Sequence, residues 1–77
     1  MSPISIVDEL QARRRLPPPA VRRALRESAR ISQARAAREL AVSPALLCRW
    51  ESGTREVTGE HLPRYLELLD VFAEASP

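Results

Sequence analysis

Ser32-Gln33-Ala34-Arg35-Ala36-Ala37-Arg38-Glu39-Leu40-Ala41-Val42-Ser43-Pro44-Ala45-Leu46-Leu47-Cys48-Arg49-Trp50-Glu51-Ser52-Gly53 is the stretch whose reading decides the fold. Ser32 is a good N-cap, and a helix from Gln33 to Leu40 turns Ala36, Ala37 and Leu40 to one side. Ser43-Pro44 opens a second helix with its N-cap and first-turn proline in register. That helix carries Leu47 and Trp50 inward and stops at Gly53, which accepts the left-handed conformation beyond a helix end. Only Ala41-Val42-Ser43 separates the two. Such a pair is a helix-turn-helix, in which the first helix braces the second and the second can enter a major groove.

Outward from this pair the chain reads as helix throughout. Pro17-Pro18-Pro19 ends one helix, from about Ser5 to Arg15, and starts another, from about Pro19 to Ala29. In the first, Ser5 and Asp8 resemble a capping box, and Ile6, Val7 and Leu10 form an apolar stripe that needs a surface. In the second, Val21, Ala24 and Leu25 line the apolar face, with Arg22, Arg23 and Arg26 off it. The last helix lies within Thr58 to Ala75, with Leu62, Tyr65, Leu66, Leu69 and Phe72 on its core face. Pro63 costs it a backbone bond, so the regular helix should begin near Leu62 or Pro63. No segment alternates apolar and polar residues like a strand. The expected fold is all-α, a bundle of about five helices, with residues 1–17 as a helical extension and proline-rich link and residues 18–77 as the domain.

Composition narrows the function. A chain of 77 residues buries only about 60–65% of its unfolded surface, which disfavours an enzyme with an enclosed pocket. All 12 basic residues are Arg, and their distribution is uneven. Residues 1–38 hold nine Arg against Asp8, Glu9 and Glu27, whereas residues 39–77 hold three Arg against seven acids. A basic front half suggests a face built for a polyanion. Cys48 and His61 are single, so neither a disulfide, a metal cluster nor a Ser/His/Asp triad is expected, and no cofactor is implied. No apolar run reaches the ~18 residues of a membrane span and Met1-Ser2-Pro3 opens no signal peptide, so the expectation is a cytoplasmic protein. Trp50 and Tyr65 fall on apolar stripes and should be core. Cys48 should sit on the side of its helix and His61 on the wet surface, as should Glu60, Glu67, Asp70 and Glu74.

The ordered set Ile31-Ser32-Gln33, Ala37, Leu40-Ala41-Val42-Ser43 and Arg49-Trp50-Glu51-Ser52-Gly53 resembles the Cro/C1-type helix-turn-helix family of bacterial and phage repressors. The resemblance covers about residues 20–72 and implies a lambda repressor-like domain. It makes the helix at Gln33 the support helix, meeting phosphate through Ser32, Gln33 and local amides. It places Pro44, Ala45, Leu46 and Arg49 where bases are read, and Thr54 and Arg55 in a phosphate-gripping loop. It also implies an ion pair between Arg26 and Glu51. Arg30 and Ala41 stand where the family most often has Gly, at a cost of roughly 1 kcal/mol each if both are left-handed. Arg35, in the first turn of the support helix, is a cation at the positive end of a helix dipole, so it too is a phosphate candidate.

Sequence-specific binding of double-stranded DNA by a homodimeric transcriptional regulator, a repressor, is therefore expected. Pro44, Ala45 and Leu46 offer no side-chain hydrogen bond, so Arg49 would carry most of the direct reading, with apolar contacts to thymine methyls beside it. The competing expectation is a protein-interaction module. In that reading Pro44-Ala45-Leu46-Leu47 docks a protein partner such as a polymerase subunit, a toxin or a phage protein. Candidates for the dimer surface are Ile4, Ile6, Val7 and the end of the last helix.

Overall fold

The computed structural model describes residues 5–75. Ile4, a candidate for the dimer surface, lies outside them. The described chain forms five helices: α1 (Ile6–Arg15), α2 (Pro19–Ser28), α3 (Gln33–Glu39), α4 (Pro44–Ser52) and α5 (Leu62–Ala75). Three of them start the same way. Ser5, Ser32 and Ser43 each have extended backbone and accept, at 3.1 Å, the amide of the residue three further on. Each satisfies an amide that the first helical turn leaves without a partner. Before α5, His61 and Leu62 donate their N–H groups to Thr58 and Gly59, tight i to i+3 turns that lead into the helix at Leu62.

Three helix ends close through one device. Arg30 (φ 60°) follows α2, Ala41 (φ 57°) follows α3 and Gly53 (φ 79°) follows α4. After α2, the Arg30 and Ile31 amides donate to Glu27 and Arg26; after α3, those of Ala41 and Val42 donate to Arg38 and Ala37. These are the paired bonds of a Schellman ending, which needs a left-handed residue. The Thr54 amide returns to Arg49 after α4. Gly53 has a second reason to be glycine, because a Cβ there would lie 3.1 Å from Pro19 Cγ. Ala41 is exposed and carries only the backbone strain. Ala41→Gly should therefore leave stability unchanged or raise it by up to about 1 kcal/mol, the relief of strain offsetting the entropy that Gly adds to the unfolded chain. A urea melt reads this directly.

The core is Ala36, Ala37, Leu40, Leu47, Trp50, Val57, Leu62, Tyr65, Leu69 and Phe72, with Leu66 also buried on α5. The Trp50 and Tyr65 rings lie 5.3 Å apart at its centre. Helix α4 packs on α2 and α3, α2 on α5, and α1 on α5. The expected inner face of α5 is buried throughout. His61 is not a free surface residue; its ring stands 5.4 Å from that of Trp50 and is partly covered.

Two expected faces are corrected. Val21 and Ala24 are exposed, whereas Arg22 is half-buried and Arg26 buried, so α2 turns arginines inward beside Leu25 and Ala29. Their charged heads find acceptors there, which periodicity cannot register. On α1, Ile6, Val7 and Leu10 are 79%, 63% and 54% exposed. The helix does lie against α5, but through Ala12 and Leu16 and an Arg15–Asp70 contact of 3.5 Å. Small Ala12 permits close approach where the longer stripe would not.

Trp50 Nε1 and Tyr65 Oη are buried without a hydrogen-bond partner among the described residues. Burial, then the Glu51 carboxylate, pushes the Tyr65 hydroxyl up to about 12, with Arg22 and Arg26 pulling the other way. A hydroxyl that ionises later in the folded than in the unfolded state stabilises below pH ~10 and loses that contribution as pH rises towards 12. Tyr65→Phe removes an unsatisfied polar atom. It should hold or raise stability by about 1 kcal/mol at pH 7 and reduce the alkaline loss between pH 10 and 12. Thermal melts across pH 7–12 check both parts.

Candidate nucleic-acid interface

The surface built on α3 and α4 begins with the outer face of α4. Leu47, Trp50 and Glu51 are buried, and Pro44, Ala45, Cys48, Arg49 and Ser52 are exposed. Helical spacing puts Ala45, Cys48 or Arg49, and Ser52 along one line, one turn apart. Leu46, expected among the base-facing residues, is instead partly buried and packs against the core. Its position lies about 100° around the helix from Ala45, on the side that carries Trp50 one turn later. Cys48 takes its place on the outer face as a small thiol, and Ser52 extends that face by a turn. The plain helical periodicity of residues 45, 48, 49 and 52 could have found both.

A polar brace holds α4 in this orientation. Arg26 Nε donates to Glu51 Oε2 at 2.7 Å and its Nη2 donates to Glu51 Oε1 at 2.9 Å, while Nη1 donates to the Ile31 carbonyl at 2.8 Å. The two-pronged contact is charge-assisted and directional. Both side chains are buried, and the hydrogen bond to Glu51 raises the Arg26 pKa above its ordinary value. Gln33 Nε2 adds a bond to Glu51 Oε1 at 3.1 Å, so the first residue of α3 is tied to the last turn of α4. Three elements, α2, α3 and α4, meet at the Glu51 carboxylate, and the α2–α3 turn holds the guanidinium paired with it. One turn earlier on α2, Arg22 Nη1 donates to the Trp50 carbonyl at 2.9 Å, near the C-terminal end of α4 where a cation is favoured.

The remaining candidates take distinct positions. Ser32 caps α3 and is exposed, and Gln33 is half-buried with one N–H engaged by Glu51. Thr54 and Arg55 are exposed just beyond α4. The Thr54 hydroxyl lies 2.9 Å from that of Ser52, and both reach the Arg49 carbonyl. Arg35 is exposed but lines a cleft of about 380 Å³ with Arg38, Glu39 and the Leu68, Val71 and Phe72 end of α5, and no α4 residue borders that cleft. It therefore stands apart from the line along α4.

The pairing of charges sorts the arginines. Arg13, Arg15, Arg23, Arg26 and Arg64 each have a carboxylate within 4 Å, Arg64 bridging to Glu39 on α3 and to Glu67. Among the described residues, Arg14, Arg22, Arg30, Arg35, Arg38, Arg49 and Arg55 have none, and all of these but Arg22 are exposed. Four of these seven, Arg35, Arg38, Arg49 and Arg55, lie on the helix-turn-helix and the loop after it. No group of His, Cys, Asp and Glu among the described residues could hold a metal ion. No helix there is long and apolar enough to cross a membrane.

A short helix pair with its second helix exposed, and unpaired arginines around it, defines a DNA-binding module of the transcription-regulator class. The family model described as helix-turn-helix matches residues 23–71, from the middle of α2 almost to the end of α5. The chain belongs to that helix-turn-helix family, of Cro/C1 type. Neither the curated proteins nor the solved structures contain a match to it.

Proposed function

We propose that this protein is a sequence-specific repressor that binds double-stranded DNA as a homodimer in the bacterial or phage-infected cytoplasm. The observation that carries the reading is the exposed line Ala45, Cys48, Arg49 and Ser52, with no carboxylate among the described residues paired to Arg49. In this reading α4 lies in the major groove. Arg49 donates to guanine O6 and N7, and Pro44 and Ala45 touch thymine methyls. Ser32, Gln33 and the first amides of α3 meet phosphate on one side, and Thr54 and Arg55 meet it on the other. Bound there, the protein blocks access to the site, and no chemistry is required of it.

One module buries too little surface for tight binding alone, which supports a two-fold dimer on a palindromic site. Exposed Ile6, Val7 and Leu10 support α1 as the contact between copies. The interaction-module reading has less apolar surface to work with, because Leu47 is buried in the core and Leu46 is partly buried against it. The decisive experiment is selection of bound sequences from random duplex DNA, followed by affinity against salt. A defined half-site should emerge, and log K should fall linearly with log salt with a slope of about −0.9 per phosphate contacted. Recovery of no sequence, together with salt-independent binding to a protein, would reject the proposal.

A further inference from the structure

We propose that the junction of α1, α2 and the loop after α4 is a phosphate-binding site, completed by the helix that precedes the helix-turn-helix domain. The site is a cleft of about 230 Å³ lined by Arg13, Arg22 and Arg55 with Glu56, over a floor of Pro19 and Gly53. Three guanidinium groups share it with one carboxylate. The volume is below the roughly 300 Å³ at which pockets for whole small molecules begin, and it suits a phosphate group held from several sides.

Arg22 supplies the main argument. It is half-buried, and its Nε donates to the Pro17 carbonyl at 2.7 Å while its Nη1 donates to the Trp50 carbonyl at 2.9 Å. Those neutral acceptors fix the guanidinium in place but leave its charge uncompensated. No carboxylate among the described residues lies within salt-bridge distance of it. Burial lowers its pKa, which reports the same cost of a desolvated cation. Among the described residues Arg55 is exposed and without a carboxylate partner, and the only carboxylate on Arg13 is Glu9, at a long 3.7 Å. The cleft therefore holds more positive charge than its own acids balance, as an anion site does.

The walls are rigid, which lowers the entropic cost of binding. Gly53 is left-handed and closes tightly on Pro19, the Arg55 amide returns to the Arg49 carbonyl at 3.4 Å, and three prolines stiffen the link from α1. Planar guanidinium forks suit the oxygens of a phosphate better than ammonium groups would. The phosphate has two possible sources, the backbone of a bound duplex or a free phosphomonoester. The cleft adjoins the loop that follows α4 directly, which favours the backbone. That assignment of source rests on the DNA-binding reading; the anion site itself does not.

The test has two arms, each with the parent chain, Arg13→Ala, and Arg14→Ala as a control. Arg14 is exposed, carries the same charge and does not line the cleft. In the first arm, inorganic phosphate replaces chloride at constant ionic strength, followed by the arginine Nε and Gly53 amide resonances. The parent and Arg14→Ala should show saturable shifts at Gly53 and Arg22 that weaken several-fold in Arg13→Ala. In the second arm, duplex affinity is measured against salt, and Arg13→Ala should flatten the slope by about 0.9 beyond Arg14→Ala. Phosphate shifts with an unchanged slope assign the site to a free phosphomonoester. A parent that binds phosphate but no DNA overturns the proposed function and leaves this site standing. DNA binding with no phosphate shifts and no difference between the two variants overturns the site.

Discussion

Glu51→Ala should cost about 3–5 kcal/mol of folding stability, the largest effect expected of any single polar substitution in this chain. The loss comes from what stays behind. Arg26 is buried, and without Glu51 its Nε and Nη2 keep their desolvation cost with neither partner nor water. Gln33 loses its acceptor as well, so α3 and α4 lose their polar tie. Small domains hold about 5–15 kcal/mol in total, and 77 residues place this one near the lower end, so the variant should unfold at moderate temperature. Removing both charges tests the mechanism. The double variant Arg26→Met with Glu51→Leu should be far more stable than the sum of its single losses, because no buried charge is left unpaired. Urea melts of the four proteins in this cycle measure the coupling. Single losses below about 1 kcal/mol that simply add would show that the pair is screened by solvent and does not brace α4.

Arg49→Ala should weaken binding to the preferred duplex by about 1–3 kcal/mol, roughly 5- to 150-fold, and relax the preference at one position per half-site. The size follows from how little else on α4 can read a base. Pro44 and Ala45 are apolar, Leu46 is partly buried against the core, and the Ser52 hydroxyl is already bonded to the Arg49 carbonyl. Affinities for the selected site and for its single-base variants give the readout. Arg55→Ala provides the contrast, since loss of a phosphate contact should weaken all duplexes alike and flatten the salt slope by about 0.9. A uniform loss from Arg49→Ala would make Arg49 another phosphate contact and move the reading of sequence to DNA shape.

The parts of this surface that were readable in the sequence are those set by local rules. Ser32 and Ser43 start α3 and α4 because a serine oxygen three residues before an amide caps a helix wherever the chain lies. Gly53 ends α4 for an equally local reason. The left-handed Arg30 and Ala41 are different, because neither residue type signals that conformation; only their match to family glycine positions pointed to them. The Arg26–Glu51 pair also came from the resemblance, and the geometry adds Gln33 and the Ile31 carbonyl, which no spacing indicated.

The sequence by itself determined five helices, their serine caps, the glycine stop of α4, the inner face of α5 and the helix-turn-helix, since these follow from interactions within a few residues and from apolar periodicity. It left to the tertiary structure every question about which long side chain turns inward. Periodicity assigns arginine to water, yet Arg22 and Arg26 lie under α4 because the Trp50 carbonyl and the Glu51 carboxylate wait there, 28 and 25 residues along the chain. The stripe Ile6, Val7 and Leu10 stays exposed because small Ala12 and Leu16 let α1 approach α5 on another side. Leu46 lies off the exposed line of α4 because α4, braced through Glu51, is rotated to bury Trp50 completely. An apolar or charged side chain states what surroundings it favours. Only the packed chain supplies the partner, because that partner comes from residues far away in sequence.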